Sequence, residues 1–204
     1  MSPIIGIVDY GIAGNIHSIS QAIEHVGGQV VKVSSPAALS AVDKLVLPGV
    51  GSFSNAMNNL HDANLVNGLR EAISNKELPT LGICLGMQLF AQVGYERGET
   101  EGLNVLDAEV RRIKCKGVLP HMGFNTIAVQ KNSALFSGIN EHAKFYFMHS
   151  YEMSNYTDVS ALSRYSEHTF VSSIEKNNLF GVQFHPEKSR EAGLKVFHNF
   201  VHNI

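Results

Sequence analysis

The chain has 204 residues, of which 44% are hydrophobic and 17% charged, so a packed core is within reach and wholesale disorder is excluded. Lys plus Arg is 16 against 18 Asp plus Glu, a formal charge of -2, which leaves no basic field for nucleic acid or an anionic membrane surface. No apolar run approaches the roughly 18 to 20 residues of a membrane span; Met1-Ser2-Pro3-Ile4-Ile5-Gly6 does not read as a secretory signal; and two cysteines with no Cys-x-x-Cys pair suit a reducing cytoplasm rather than a disulfide framework or zinc ribbon.

The first half alternates two periods. Ile4 to Val8 is a β-rich run ending at Asp9-Tyr10-Gly11. Asn15 to Val26 carries Ile16, Ile19, Ile23 and Val26 at the spacing of one helix face, and Gly27-Gly28 stops it. Val30 to Val33 and Lys44 to Leu47 are strand candidates, the latter closed by Pro48-Gly49-Val50-Gly51. Leu65 to Ile73 has helical spacing, Thr80 to Ile83 is a fourth strand, and Leu85 to Val93 is a helix behind it. This rhythm predicts a parallel sheet with helices on both faces.

In the second half Val105 to Ile113, Asn125 to Val129, Lys144 to Met148, Ser160 to Tyr165, Phe170 to Glu175 and Leu179 to Phe184 read as strands. Few helical stretches separate them, so an antiparallel extension of the sheet is expected. Polar Gly94 to Gly102 is expected to be an exposed loop. Arg190 to Asn203, with Leu194, Phe197 and Val201, closes the chain as a helix. No repeat or linker interrupts residues 1–204, which are expected to form one domain of the α/β class: three layers, α/β/α, around a mostly parallel sheet.

The most informative segment is Gly82-Ile83-Cys84-Leu85-Gly86-Met87-Gln88. A nucleophile between two glycines at a strand-to-helix turn has the elbow geometry of α/β hydrolases. The glycines suit a sharp bend with nothing bulky over the side chain, and the amides of a helix starting at Leu85 favour a thiolate. The bland alternative is a buried, inert thiol. Cys115, in Lys114-Cys115-Lys116, has flanking positive charge but no elbow, and reads as incidental.

A cysteine nucleophile needs a base and a group to hold it. Of ten histidines, His185 is best placed, at the end of an apolar run and before Pro186-Glu187. In extended chain His185 and Glu187 point the same way, so Glu187 can fix the imidazole tautomer and leave the other nitrogen for Cys84. His198 and His202 lie four apart on the last helix but lack the Glu of a zinc-protease motif; no metal or cofactor is called for. Pro48-Gly49-Val50-Gly51 can present backbone amides as part of an oxyanion hole, the other donor being the Leu85 amide. Gly11-Ile12-Ala13-Gly14 is only a partial nucleotide fingerprint.

Taken jointly, Gly82 to Gln88 and Gly181-Val182-Gln183-Phe184-His185-Pro186-Glu187 resemble the class I (triad) glutamine amidotransferases, with their flavodoxin-like fold. With Asp9-Tyr10-Gly11, Pro48-Gly49-Val50-Gly51, Pro120-His121-Met122-Gly123, His149-Ser150-Tyr151 and Lys188-Ser189 added, the pattern resembles the glutaminase subunits of imidazole glycerol phosphate synthase over nearly the whole chain. The resemblance implies a triad of Cys84, His185 and Glu187, with an oxyanion hole from the amides of Leu85, Val50 and Gly51. It places glutamine along Gln88 and the backbone at His149, Ser150 and Tyr151, with Glu96 facing its ammonium. Pro120, His121, Met122 and Gly123 would face a separate (β/α)8-barrel cyclase, which receives ammonia internally and forms imidazole glycerol phosphate and an aminoimidazole carboxamide ribotide in histidine biosynthesis.

Three features depart from the pattern: an extra residue between Asp9-Tyr10-Gly11 and Gly14-Asn15, Phe124 where tryptophan is common, and Asn104 with Asp107-Ala108 where glycine or proline is usual. They bear on the ammonia acceptor more than on the reaction. A divergent relative feeding another synthase, as in amidino-sugar formation for surface polysaccharide, is the alternative. Rival readings are a cysteine peptidase or γ-glutamyl hydrolase on a similar sheet, a guanylate or carbamoyl phosphate glutaminase, and a non-catalytic flavodoxin-like binding module.

Overall fold

The computed structural model describes residues 2–11, 15–74, 78–154 and 156–204. Residues 12–14, which carry most of the Gly11 to Gly14 turn and the extra residue before Asn15, lie outside the described residues. Strand β1 (Ile4–Val8), helix α1 (Ile16–His25), β2 (Gln29–Val33), β3 (Lys44–Gly49), α2 (Phe53–Asp62), α3 (Val66–Ser74) and β4 (Thr80–Cys84) build the first half. Helix α4 (Leu85–Gln88) follows β4 without a gap, and then come the short strands β5 (Val93–Gly94), β6 (Thr100–Glu101) and β7 (Glu109–Arg112). The remaining strands are β8 (His121–Thr126), β9 (Ala128–Val129), β10 (Lys144–His149), β11 (Tyr151–Ser154), β12 (Val159–Tyr165), β13 (His168–Lys176) and β14 (Leu179–Val182), before helix α5 (Arg190–His202).

The main sheet runs β2-β1-β3-β4-β14-β13-β12-β9. Its first five strands are parallel, and β13, β12 and β9 continue it antiparallel. Period-two alternation sorts the side chains into two cores. Ile5, Ile7, Val46, Leu81 and Ile83 join Ile19 and Ile23 of α1 and Val196, Phe197 and Phe200 of α5. Val8, Leu45 and Leu47 face the other way, onto Phe53, Met57 and Leu60 of α2 and Leu69 and Ile73 of α3. The expected three layers follow directly. An antiparallel β8–β10 pair and a smaller four-stranded sheet, β11-β7-β5-β6, stand apart from the main sheet. No described helix is long and apolar enough to cross a membrane.

Several sequence expectations need correction. The helix expected over Leu85 to Val93 ends at Gln88. The carbonyls of Leu89, Phe90 and Ala91 instead accept from Leu103, Leu106 and Asn104, so a long loop takes the bonds a helix would have used. The strand expected over Val105 to Ile113 is confined to Glu109–Arg112. Gly94 to Gly102 is not wholly a loop, since Gly94 and Thr100 pair across β5 and β6. Helix α2 was not legible as a helix: Phe53, Ala56, Met57 and Leu60 form its buried face, but three asparagines of modest helix propensity dilute the pattern. On α5 the buried face comprises Val196, Phe197, Phe200 and Val201, and Leu194 is only half-buried.

Candidate active site

The C-terminal ends of β1, β3, β4 and β14 meet along one edge of the parallel sheet, where open α/β sheets place their ligand clefts. A cleft of about 210 Å³ opens there, below the roughly 300 Å³ at which drug-sized pockets begin. That volume suits a single small metabolite better than a stretch of polypeptide. Cys84, Leu85, Val50, Gly51 and His185 all line it, together with Gln88, Glu96, Pro120 and the turn His149-Ser150-Tyr151.

Cys84 carries the bend of the elbow itself, with φ 55° and ψ -112°. This backbone is strained for a residue with a side chain, and strain of this kind concentrates at functional positions. The two glycines have a different role from the expected one: neither has a positive φ. A Cβ on Gly86 would lie 1.9 Å from the Leu47 carbonyl oxygen, and one on Gly82 would press into Phe90 and the Met87 backbone at 2.5–2.7 Å. Gly49 is equally tight against Gly86 and Leu85, at 2.6–2.8 Å. These contacts draw the end of β3 against the start of α4, so the Val50–Gly51 loop lies beside the Leu85 amide. Tyr10 secures the same loop by donating its hydroxyl to the Pro48 carbonyl at 2.8 Å. α4 itself is a single turn of four residues, so its dipole is smaller than the longer helix expected from sequence would have supplied.

His185 is fully buried, and its Nδ1 donates to Glu187 Oε1 at 2.8 Å. The pairing does not come from strand alternation. Pro186–Lys188 winds into a short 3-10 turn that brings Glu187 back under the ring. The His185 amide donates to the Tyr146 carbonyl at 2.8 Å, fixing the ring between β14 and β10. Burial would lower the pKa of the ring. The charge of Cys84, and then the hydrogen bond and charge of Glu187, outweigh burial and raise it to about 10. Burial pushes Glu187 up, but hydrogen bonds and charge from His185 and a hydrogen bond from Asn15 hold it below the usual carboxylate range. His185 Nε2 makes no hydrogen bond among the described residues, and the charge that acts most on the ring is that of Cys84.

Two residues were missed from sequence. Asn15 Nδ2 donates to Glu187 Oε1 at 2.6 Å. Asn15 sits at the start of α1, where it reads as an ordinary N-cap, yet it makes no side-chain cap bond. Gln183 is fully buried, and its Nε2 lies 3.6 Å from Cys84 Sγ. A polar residue in the apolar run Leu179 to Phe184 was the available signal.

Gln88 Nε2 donates to the Tyr151 carbonyl at 2.9 Å and to Gln183 Oε1 at 2.8 Å. One oxygen of Glu96 accepts from the Phe53 amide at 2.8 Å, capping α2 from outside. His149 lines the cleft but its ring is engaged inward: Nδ1 donates to the Tyr151 carbonyl at 2.9 Å and Nε2 meets His121 Nδ1 at 3.2 Å. His121 is the exception among the residues expected on a partner-facing surface. It is buried against Phe147, Tyr165 and Phe170, whereas Met122 is exposed and Gly123 has open space beside it. Phe124 is also exposed, with the Arg190 guanidinium 5.1 Å from its ring centre. Cys115 lies after β7, in a loop rather than in the strand-like setting expected, and away from the residues lining the cleft. His198 and His202 are neighbours, with His202 Nε2 donating to the Val26 carbonyl. No group of three metal-ligating side chains occurs among the described residues.

Fold and cleft together define an α/β protein with a cysteine elbow at the carboxyl edge of its sheet. The family model for class-I glutamine amidotransferases matches residues 7–204. Similar curated proteins include imidazole glycerol phosphate synthase subunit HisH 1 of Campylobacter jejuni, 42% identical over 97% of this chain and 98% of that one. The HisH subunit of Aquifex aeolicus is 44% identical over 95% of this chain and 94% of its own. Among solved structures, PurLQS of Thermotoga maritima aligns with a TM-score of 0.74 at 18% identity, covering 100% of this chain and 99% of that one. A glutamine amidotransferase aligns with a TM-score of 0.75 at 17% identity, covering 98% and 99%. The chain belongs to the class-I glutamine amidotransferase family.

Proposed function

We propose that the cleft hydrolyses glutamine and that the chain is the glutaminase subunit of an imidazole glycerol phosphate synthase, working in the cytoplasm as one domain over residues 1–204. The single observation that carries this reading is the buried His185 ring. Glu187 holds its Nδ1 at 2.8 Å, and its Nε2 is left for Cys84.

In this mechanism Cys84 Sγ attacks the side-chain carboxamide carbon, and the carbonyl π electrons move onto oxygen. The amides of Leu85, Val50 and Gly51 hold that oxyanion. The tetrahedral intermediate collapses, the C–N bond breaks, and His185 Nε2 gives its proton to the departing nitrogen, which leaves as ammonia. A water then loses a proton to Nε2 and attacks the thioester, the sulfur is expelled, and glutamate forms. Glu187 keeps the ring in the required tautomer throughout. Both N–H groups of Gln88 are already engaged, so its oxygen is the atom left to accept from glutamine. Glu96 has one carboxylate oxygen beyond its bond to Phe53 with which to meet the substrate ammonium.

The partner is a (β/α)8-barrel cyclase that takes ammonia through its interior before water can protonate it. The names of the HisH relatives support a synthase partner. The exposed Val118, Met122 and Phe124 beside Pro120 to Gly123 supply an apolar face for one. With the histidine-pathway cyclase present, Cys84→Ser is expected to abolish ammonia release from glutamine, and Cys115→Ser to retain it. Equal loss in both variants would falsify the assignment. Stimulation by a different synthase, and none by this cyclase, would move the chain to the amidino-sugar alternative.

A further inference from the structure

Gln183 directly follows the apolar strand β14 and is fully buried. Its carboxamide must find partners or lose about 1–3 kcal/mol for each group left bare. The orientation of that carboxamide follows from its neighbours. The Tyr151 carbonyl can only accept, so Gln88 turns its amino group to it at 2.9 Å. The same amino group, 2.8 Å from Gln183, then requires an acceptor, so Gln183 presents its oxygen there. Its own amino group is thereby directed at Cys84 Sγ, 3.6 Å away. Besides the His185 ring, whose charge also acts on the sulfur, its remaining polar neighbour is the Met148 carbonyl at 4.0 Å, which accepts from a thiol and disfavours a thiolate. The Gln183 amino group and this carbonyl act in opposite directions on the same atom.

We infer that Gln183 is a second donor, beside the His185 ring, that holds Cys84 as a thiolate facing the cleft, braced from behind by Gln88 and the Tyr151 carbonyl. For its consequence in turnover the inference rests on the glutaminase reading. For its effect on the sulfur it does not.

The test is the pH dependence of Cys84 alkylation by iodoacetamide, without glutamine, followed by peptide mass with Cys115 as internal control. Gln183→Met keeps the length and removes the donor. Gln183→Glu keeps the acceptor for Gln88 and turns an oxygen toward the sulfur. The alkylation midpoint is expected to rise by about one pH unit in the first and further in the second, with no change at Cys115. In Gln183→Glu, which keeps the Gln88 acceptor, the kcat for ammonia release falls at least about tenfold while KM for glutamine holds within about twofold. A midpoint that stays or falls in both variants overturns the inference. In the unsubstituted protein, the Gln183 side-chain amide NMR signals should shift when Cys84 is alkylated; unmoved signals overturn the inference even if neither variant folds. Loss of ammonia release in Cys84→Ser with unchanged Gln183 midpoints would leave the glutaminase reading standing and remove this inference alone.

Discussion

Asn15 and His185 donate to one and the same oxygen of Glu187, at 2.6 Å and 2.8 Å, while the second carboxylate oxygen is buried without a partner among the described residues. A carboxylate held by one donor swings about that bond; the second donor fixes its plane, and with it the imidazole. Asn15→Ala is therefore expected to lower kcat for glutamine hydrolysis about tenfold with little change in KM. Asn15→Asp sets a second negative charge against Glu187 and should lower it further. Steady-state ammonia release decides, and wild-type kcat in both variants would make Asn15 a bystander.

The parallel core was legible because β1, β3 and β4 are short apolar runs punctuated by turn residues, and α1 has a clean helical stripe. The elbow was legible because a cysteine flanked by glycines at a strand end has few other uses. What escaped depended on contacts distant in sequence. Asn15 meets Glu187 across 172 residues, and no local pattern encodes that. The 3-10 turn under His185 was read as extended because proline biases its predecessor to extended backbone, and His185 is indeed extended. The bend begins only after it. His121 was expected at the surface from its place in Pro120-His121-Met122-Gly123, but alternation along β8 sends its ring inward and Met122 outward.

The His121–His149 pair predicts a pH dependence of stability. Burial lowers the pKa of both rings, that of His149 to about 4 from 6.5. Above pH 6.5 the ring of His149 is neutral in folded and unfolded chains alike. Between 6.5 and 4 the unfolded chain takes up a proton that the folded one refuses, so stability falls as pH falls. The ring of His149 alone accounts for up to about 3 kcal/mol by pH 4. Urea midpoints should decline across this window, and the decline should flatten in His149→Gln. An equally steep decline in the variant would assign the effect to other groups.

Gly86→Ala tests the contact that sets the proposed oxyanion loop. Its new methyl would lie 1.9 Å from the Leu47 carbonyl oxygen, so β3 and α4 must separate. A displacement near 1 Å at the reacting centre costs on the order of a hundredfold in rate. The expected result is a protein that still unfolds cooperatively, with a lower melting temperature, and has lost about that much kcat. Full activity would mean that the Val50–Gly51 loop is positioned by something other than this close packing.

Lys44 separates stability from catalysis. It is buried at the start of β3, where its Nζ donates to the carbonyls of Phe200 and Val201, each at 2.9 Å. These carbonyls belong to the last turn of α5, where a positive charge also meets the negative end of the helix dipole. Burial lowers the lysine pKa, and Asp43 opposes the shift, so the ammonium is retained at a desolvation cost that the two carbonyls offset. Lys44→Met fills a similar volume and leaves both acceptors without this donor. A loss of about 1–3 kcal/mol in urea unfolding is expected. The cleft lies at the opposite, carboxyl end of β3, so kcat and KM of the folded fraction should match wild type. A variant as stable as the parent would show that water at the end of α5 replaces the ammonium without penalty.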